Sequence, residues 1–410
     1  MYLKATNNQR TFAFIILAVV GLAKATVTDV PSLNAPVPYV PWTEGQKKTP
    51  SDFVHPGLWH THQDLETMRN AVLKKKDPWY SAYELFAADK YSLSTYTMRG
   101  PYSVLSRGTI SNYTTFAYDA RAAYQNAIMW YITKDDAHWN VSTNILDSWG
   151  STLTNIIGTD RSLLIGIEGD LFVNAAEIMR WEGGWTEAGA KWQGGSGFSI
   201  QLYWLFARQS IIIGHANYGI ASIKALMNFA AYLEDVNMYN YAVWMWKNDP
   251  CAGITATIEP KTGQNSESGR DQGHAIAGLG WLALAARTSK NQGYDLFSYR
   301  NSLLLKGAEY TAKYNLNETV AYDSSWRRCE SVLVNGPWED ISTNKRGVVY
   351  QTSAGVTTKS PPIWDLIYYA AKSKGLKHPW TTKAKAEYGG EDVFSSNEMP
   401  GWGDLLFASS

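Results

Sequence analysis

The 410-residue sequence predicts an all-α fold, an (α/α) toroid of about six to seven helical hairpins that forms an incomplete barrel. Three observations carry this expectation. Helical periodicity recurs along most of the chain, and strand-like alternation is nearly absent. The helices richest in small residues begin near 117, 166, 217 and 273, about fifty residues apart, which is one helical hairpin each. Longer, more amphipathic helices lie between them. A toroid needs this alternation, because inner helices pack closely and use Ala and Gly while outer helices show a polar face to water. A plain helical solenoid would share the same period.

The elements follow in order. Lys4 and Arg10, the apolar run from Phe12 to Ala23 and the small-x-small site Ala23-Lys24-Ala25 match a signal peptide over 1–25. The mature chain is then expected to be secreted and extracellular. No later stretch is apolar enough to predict a membrane span. Residues 26–54 read as an extended Pro-rich leader, and 55–410 as a single toroid domain. Within it, helices are expected over 64–75, 78–89, 115–133, 136–157, 163–181, 198–213, 218–234, 238–247, 271–288, 294–315 and 361–374, with one short strand over 347–351.

Composition narrows the partners. The net charge is zero, and 45% of residues are hydrophobic against 18% charged, which excludes a disordered chain and argues against nucleic acid as a partner. Trp (18) and Tyr (25) outnumber Phe (12), and their flat faces suit the C–H faces of sugar rings. Large helical cores also use Trp. Cys251 and Cys329 are the only cysteines, and in an oxidising compartment they are expected to form one disulfide. Asn112, Asn140 and Asn317 head N-x-Ser/Thr sequons and are expected to be glycosylated. His55, His60 and His62 lack the Cys or carboxylate pattern of a metal site, so neither metal nor cofactor is expected, and the protein should be a monomer.

In a toroid the N-termini of the inner helices converge on one rim, where helix dipoles favour anions. Three polar clusters fall there. The run Gln264 to His274 leads into an apolar helix. It offers His274 as a general base, or as a structural histidine, with Arg270 and Gln272 beside it. The run Gly214 to Gly219 offers Asn217 as a helix N-cap or as an amide donor to a substrate carboxylate. The run Tyr322 to Cys329 sets Arg327 and Arg328 beside Tyr322 and Trp326, a pairing suited to a carboxylated sugar or to an ordinary charged loop. Asn, His, Tyr and Arg together would meet the demands of β-elimination from a uronate. That reaction needs a base at C5, an acid at O4 and donors for the charge that builds on the carboxylate.

Asn217-Tyr218-Gly219, the run Glu267 to His274 and the run Glu309 to Leu316 together resemble the alginate-lyase-like domain family, most nearly polysaccharide lyase family 38. His55 to Thr61 and Asn174 to Arg180 look like the same family. The likeness spans roughly residues 53–375, and Glu267 to His274 is its most specific piece. The resemblance implies an (α/α) toroid that cleaves a β-1,4-linked polyuronate by elimination, on mannuronate-rich alginate first and glucuronan second. It implies that Asn217 neutralises the carboxylate and His274 acts as base. Tyr322 with Arg327 or Arg328 is the first choice for acid and cation, and Tyr314 the second choice for the acid. Tyr218 stands where many relatives carry Trp, and His215 has no family role. Tyr218, Arg270, Gln272, Trp326, His55 and His60 are expected to line the substrate cleft. Two other readings stay open. A glycoside hydrolase on the same ring would use two of Asp119, Asp170, Glu177, Glu267 and Asp271, and a glycan-binding protein would use the aromatics alone.

Overall fold

The first helix starts where Thr61 and Asp64 close a reciprocal capping box, Thr61 accepting from the Asp64 amide. It spans His62–Leu73 (α1) and pairs with Trp79–Ala88 (α2). The computed structural model describes residues 45–108, 111–187, 197–211, 214–326, 338–347, 350–351, 357–358, 362–388 and 398–409. Helices Tyr113–Thr133 (α3), Asp136–Thr152 (α4) and Arg161–Trp181 (α5) follow, with Val104–Ser106 (β1) and Asn155–Ile157 (β2) just before α3 and α5. Segment 198–210 (α6) is α-helical at both ends and π-helical over Leu202–Ala207. Then come Ala216–Tyr232 (α7), Val236–Asn248 (α8), the single turn Ile254–Thr257 (α9), Gln272–Asn291 (α10) and Tyr299–Asn315 (α11). A short antiparallel pair, Tyr350–Gln351 (β3) with Thr357–Thr358 (β4), precedes Trp364–Ser373 (α12), Pro379–Tyr388 (α13) and Gly403–Leu406 (α14).

Among the described residues six helical pairs result: α1/α2, α3/α4, α5/α6, α7/α8, α10/α11 and α12/α13. The inner members α3, α5, α7, α10 and α12 pack each on the next, and α14 touches both α12 and α2. The expected toroid of hairpins is therefore observed. Of the strand expected over 347–351, Tyr350–Gln351 is strand, Gly347 is in a turn and 348–349 lie outside the described residues, and 155–157 leaves the predicted helix to form β2.

Small residues set the inner spacing. A Cβ on Gly166 of α5 would sit 2.8 Å from the Ala221 Cβ of α7, so the two helices approach as closely as glycine permits. A buried polar chain crosses three inner helices. Lys224 of α7 meets Asp170 of α5 at 2.6 Å, Asn228 of α7 donates to the same carboxylate, and Thr288 of α10 donates to Asn228 Oδ1 at 2.6 Å. Each of these groups is buried and partnered, as a polar group inside a packed core must be.

The described end of the leader lies at the rim holding the C-terminal ends of the inner helices. Lys47 Nζ donates to the carbonyls of Asp52 and of Gln292, the residue just after α10, and the Lys47 amide donates to Asn240 of α8. Among the described residues no helix is long and apolar enough to cross a membrane.

Candidate active site

The segment Gly158 to Ser162, which follows the parallel pair β1–β2, forms one wall of the site. The register of the pair, Val104 to Asn155 and Ser106 to Ile157, brings the entries to α3 and α5 side by side, and the Asp160 amide donates to the Arg107 carbonyl at 3.0 Å. The entry to α7 forms the other wall. Ala216 takes a left-handed conformation (φ +53°) as the chain turns into α7, an uncommon state for a residue with a Cβ and one often kept at functional sites. Between the walls lies an open cleft of about 730 Å³, lined by Gly158 to Ser162, Ile165, Gln209, Gly214, His215, Tyr218 and Arg270. It sits at the rim where the inner helices begin.

Tyr218 is half-buried, and its hydroxyl donates to Asp160 Oδ1 at 3.0 Å. Burial raises its pKa, helped by the hydrogen bond to Asp160 and that residue's charge, against the pull of Arg107 and Arg270. Its phenol is therefore protonated throughout the neutral range. Arg161 is exposed at the cleft edge, and Arg270 pairs with Glu267 at 3.3 Å. Arg107 stands behind them, 4.5 Å over the Tyr113 ring and 3.5 Å from the buried Glu168.

Asn217 answers the question left by the sequence. His215, not Asn217, occupies the N-cap of α7, so the Asn217 amide is not used as a cap. Asn217 is buried, and neither its Oδ1 nor its Nδ2 reaches a hydrogen-bond partner among the described residues. A buried amide with both ends unsatisfied costs stability unless a ligand meets it. Gly278 of α10 leaves room beside it, since a Cβ there would lie 3.8 Å from Asn217 Oδ1. His274 is one turn nearer the rim on α10, so its helix face is the one packed toward Asn217. The His274 side chain is 38% exposed, and its Nδ1 lies 3.2 Å from Asp271 Oδ1, close enough for an ion pair but poorly aligned for a hydrogen bond. Burial pushes the Asp271 carboxyl up, but its contacts with His274 and the Lys345 charge outweigh burial and hold it at about 2.

The remaining expected residues lie elsewhere. Gln272 is buried, donating to the Ser268 and Ser342 carbonyls and accepting from Asn315, so it ties loops together and does not face the cleft. The Tyr322 hydroxyl donates to the Trp338 carbonyl at 2.9 Å, and the residue packs on Gly269. Tyr314 is buried under Arg346, whose guanidinium lies 3.9 Å from the ring centre. Trp326 is half-buried and does not line the cleft. Arg327 and Arg328 lie outside the described residues. His55 binds Glu177 at 2.8 Å and stacks on Trp181 at the C-terminal end of α5, far along the helix from the rim. His60 is buried against Tyr124 and Phe407, and burial lowers its pKa to about 3, so it is a neutral core residue. His62 pairs with Glu182, so the three histidines have three separate partners. Cys251 is disulfide-bonded, and Cys329 lies outside the described residues. Asn140 and Asn317 are exposed, whereas the Asn112 amide is occupied by Val104 and Ser106.

Asp160, Arg161, Gln209 and His215 complete the cleft without having been singled out for it. Asp160 carries a readable signal, an Asp directly before a small-residue helix. The predicted start of α5 at 163 hid it.

The architecture can be compared with known proteins. No protein-family model matches the sequence, and no curated protein does. Solved structures do match in fold. The alginate lyase A1-III of Sphingomonas species A1 superposes with a TM-score of 0.56 at 12% identity, over 88% of this chain and 97% of that one. A variant of alginate lyase A1-III complexed with a tetrasaccharide gives a TM-score of 0.60 at 14% identity, over 90% and 99%. At such identity the likeness speaks for the fold, and the chain has the (α/α) toroid seen in those lyases.

Proposed function

We propose that the protein is a polysaccharide lyase that cleaves a β-1,4-linked polyuronate by β-elimination, leaving a C4–C5 unsaturated uronate at the new end. The observation that carries this reading is the buried amide of Asn217, without a hydrogen-bond partner among the described residues, in the first turn of α7 directly beside Tyr218, which lines a cleft together with Arg161 and Arg270. An amide and two guanidiniums suit a carboxylate whose charge grows as C5 loses its proton. The first turn of α7 adds the positive end of a helix dipole. In this reading Asn217 holds the carboxylate of the reacting sugar, and Arg161 and Arg270 hold its neighbours. Tyr218 transfers the proton on one face of the ring, and His274 on α10, which is not among the residues lining the cleft, is held in reserve as a second base.

Mannuronate and glucuronate share their configuration at C4 and C5, with the C5 proton and O4 on the same side. A single tyrosine serves both steps there, so mannuronate-rich alginate is the first substrate and glucuronan the second. Guluronate places the two on opposite sides and would need His274 as base. The hydrolase alternative fits less well. Asp160 is the one carboxylate among the described residues lining the cleft, where a hydrolase needs two. Asp119 is consumed by Tyr96, Trp149 and two backbone amides, Asp170 by Lys224, and Glu177 by His55. The basic and apolar start of the sequence supports secretion to where such polymers occur.

The test is ultraviolet absorbance with polymannuronate, glucuronan and polyguluronate, beside Tyr218→Phe. Absorbance should rise with the first two polymers and be lost in the variant. New reducing ends without absorbance would overturn the lyase reading.

A further inference from the structure

Asp160 poses a problem for any cleft built to take a polyanion. It puts a carboxylate on the cleft wall, where it repels the substrate, and it does not repay this by capping its helix. It occupies the N-cap of α5, yet its side chain makes no capping hydrogen bond. Asp normally caps well at this position. Its carboxylate instead accepts the Tyr218 hydroxyl at 3.0 Å, across the cleft from one helix entry to the next. The backbone holds it there from both sides, its amide donating to Arg107 O and its carbonyl accepting from the Leu163 amide at 3.0 Å.

Resting on the lyase reading above, we propose that Asp160 is the positioning residue that turns Tyr218 into a proton shuttle. The O–H of Tyr218 points at Asp160, which leaves the lone pairs of the phenol oxygen for the cleft. When the substrate's C5–H bond breaks, its proton goes to the Tyr218 oxygen as the phenolic proton passes to Asp160. The C5 electron pair forms the C4=C5 double bond, and the C4–O4 bond breaks. Tyr218 then gives a proton to O4 and recovers its own from Asp160. Protons and charge balance over the cycle, and no free phenolate is needed at any stage. The raised pKa of Tyr218 agrees with this, since a phenol held protonated cannot wait as a base and needs somewhere to send its proton. Arg161 and Arg270 offset the charge of Asp160 toward the polymer.

The experiment uses the full chain with polymannuronate, comparing wild type, Asp160→Asn, Asp160→Ala and Asp160→Ala with added formate. Loss of the partner should lower kcat on the order of a hundredfold, with KM changed by less than about threefold, because general acid–base help of this kind is worth that much. Formate should restore part of the kcat of Asp160→Ala, which a capping or folding role would not allow. Unchanged kcat in Asp160→Asn, a rise in KM alone, or loss without formate rescue would overturn the shuttle while leaving an active wild-type lyase intact. A wild type that makes no unsaturated product would overturn the lyase reading and the shuttle together.

Discussion

Replacing Lys224 with Met tests the buried polar chain that ties α5, α7 and α10 together. Lys224 Nζ lies 2.6 Å from Asp170 Oδ2, and both side chains are almost fully buried, at 2% and 0% exposed. Removing the ammonium leaves the carboxylate, among the described residues, with Asn228 as its only other side-chain partner. Breaking one side of a buried ion pair costs about 3–5 kcal/mol, because the remaining charge is uncompensated. Burial already raises the Asp170 pKa against the pull of Lys224, so without Lys224 it rises further, and the carboxyl takes up a proton at lower cost. The loss should therefore be largest at alkaline pH and shrink as the pH falls. Asp170→Asn combined with Lys224→Met should recover most of it, since a neutral pair leaves no buried charge. Urea unfolding followed by circular dichroism, at several pH values, reads all of this. A loss under about 1 kcal/mol at alkaline pH, or a double variant no better than Lys224→Met alone, would refute the reasoning.

Other predictions follow from the same geometry. Asn217→Ala should lower kcat by about a hundredfold to a thousandfold, as loss of a charge-stabilising donor does, while the unfolding midpoint does not fall, because the amide makes no hydrogen bond among the described residues that could be lost and its burial unpaired is relieved. Steady-state kinetics and a thermal melt together check this. Tyr322→Phe should leave kcat within about twofold on the scale where one hydrogen bond in the transition state is worth tenfold or more, because its hydroxyl is spent on the Trp338 carbonyl; a large drop would return the acid role to that loop. Burial raises Glu168 from its ordinary 4.5 to about 8, only partly countered by Arg107. Its neutral form is the one the fold prefers, so its contribution is complete below about 4.5 and is lost as the pH rises through about 8. Glu168→Gln should flatten the fall in unfolding free energy across that window, and an unchanged slope would contradict the assignment.

The inner helices were legible because close packing writes itself into sequence as Ala and Gly at helical spacing. Gly166 against Ala221 is an instance, and the predicted helices at 115–133 and 198–213 lie within three residues of those observed at each end. Asn217 and Arg270 were legible as polar residues at an inner-helix start. The tyrosine was not. Tyr322 stands close to Arg327 and Arg328 in the sequence and Tyr218 close to no arginine, and only the tertiary fold decides which hydroxyl is taken by a backbone carbonyl and which faces the cleft. His55 and His60 misled for a related reason. Their spacing near the start of the domain says nothing of depth, and the structure sets one at the far end of α5 and the other in the core against Tyr124. Asp160 escaped notice because its partner, Tyr218, lies 58 residues away. Pairings at that range follow from the packing of α5 on α7, which no local pattern encodes.

The most direct test of the proposed elimination is to incubate the protein with polymannuronate in water enriched in heavy oxygen and to weigh the products. Elimination breaks the C4–O4 bond without consuming water, so the products should carry no added oxygen label beyond slow exchange at the reducing end, and each new non-reducing end should be one water lighter than a saturated sugar. One heavy oxygen gained per cut, with saturated ends, would mean hydrolysis and would contradict the central claim.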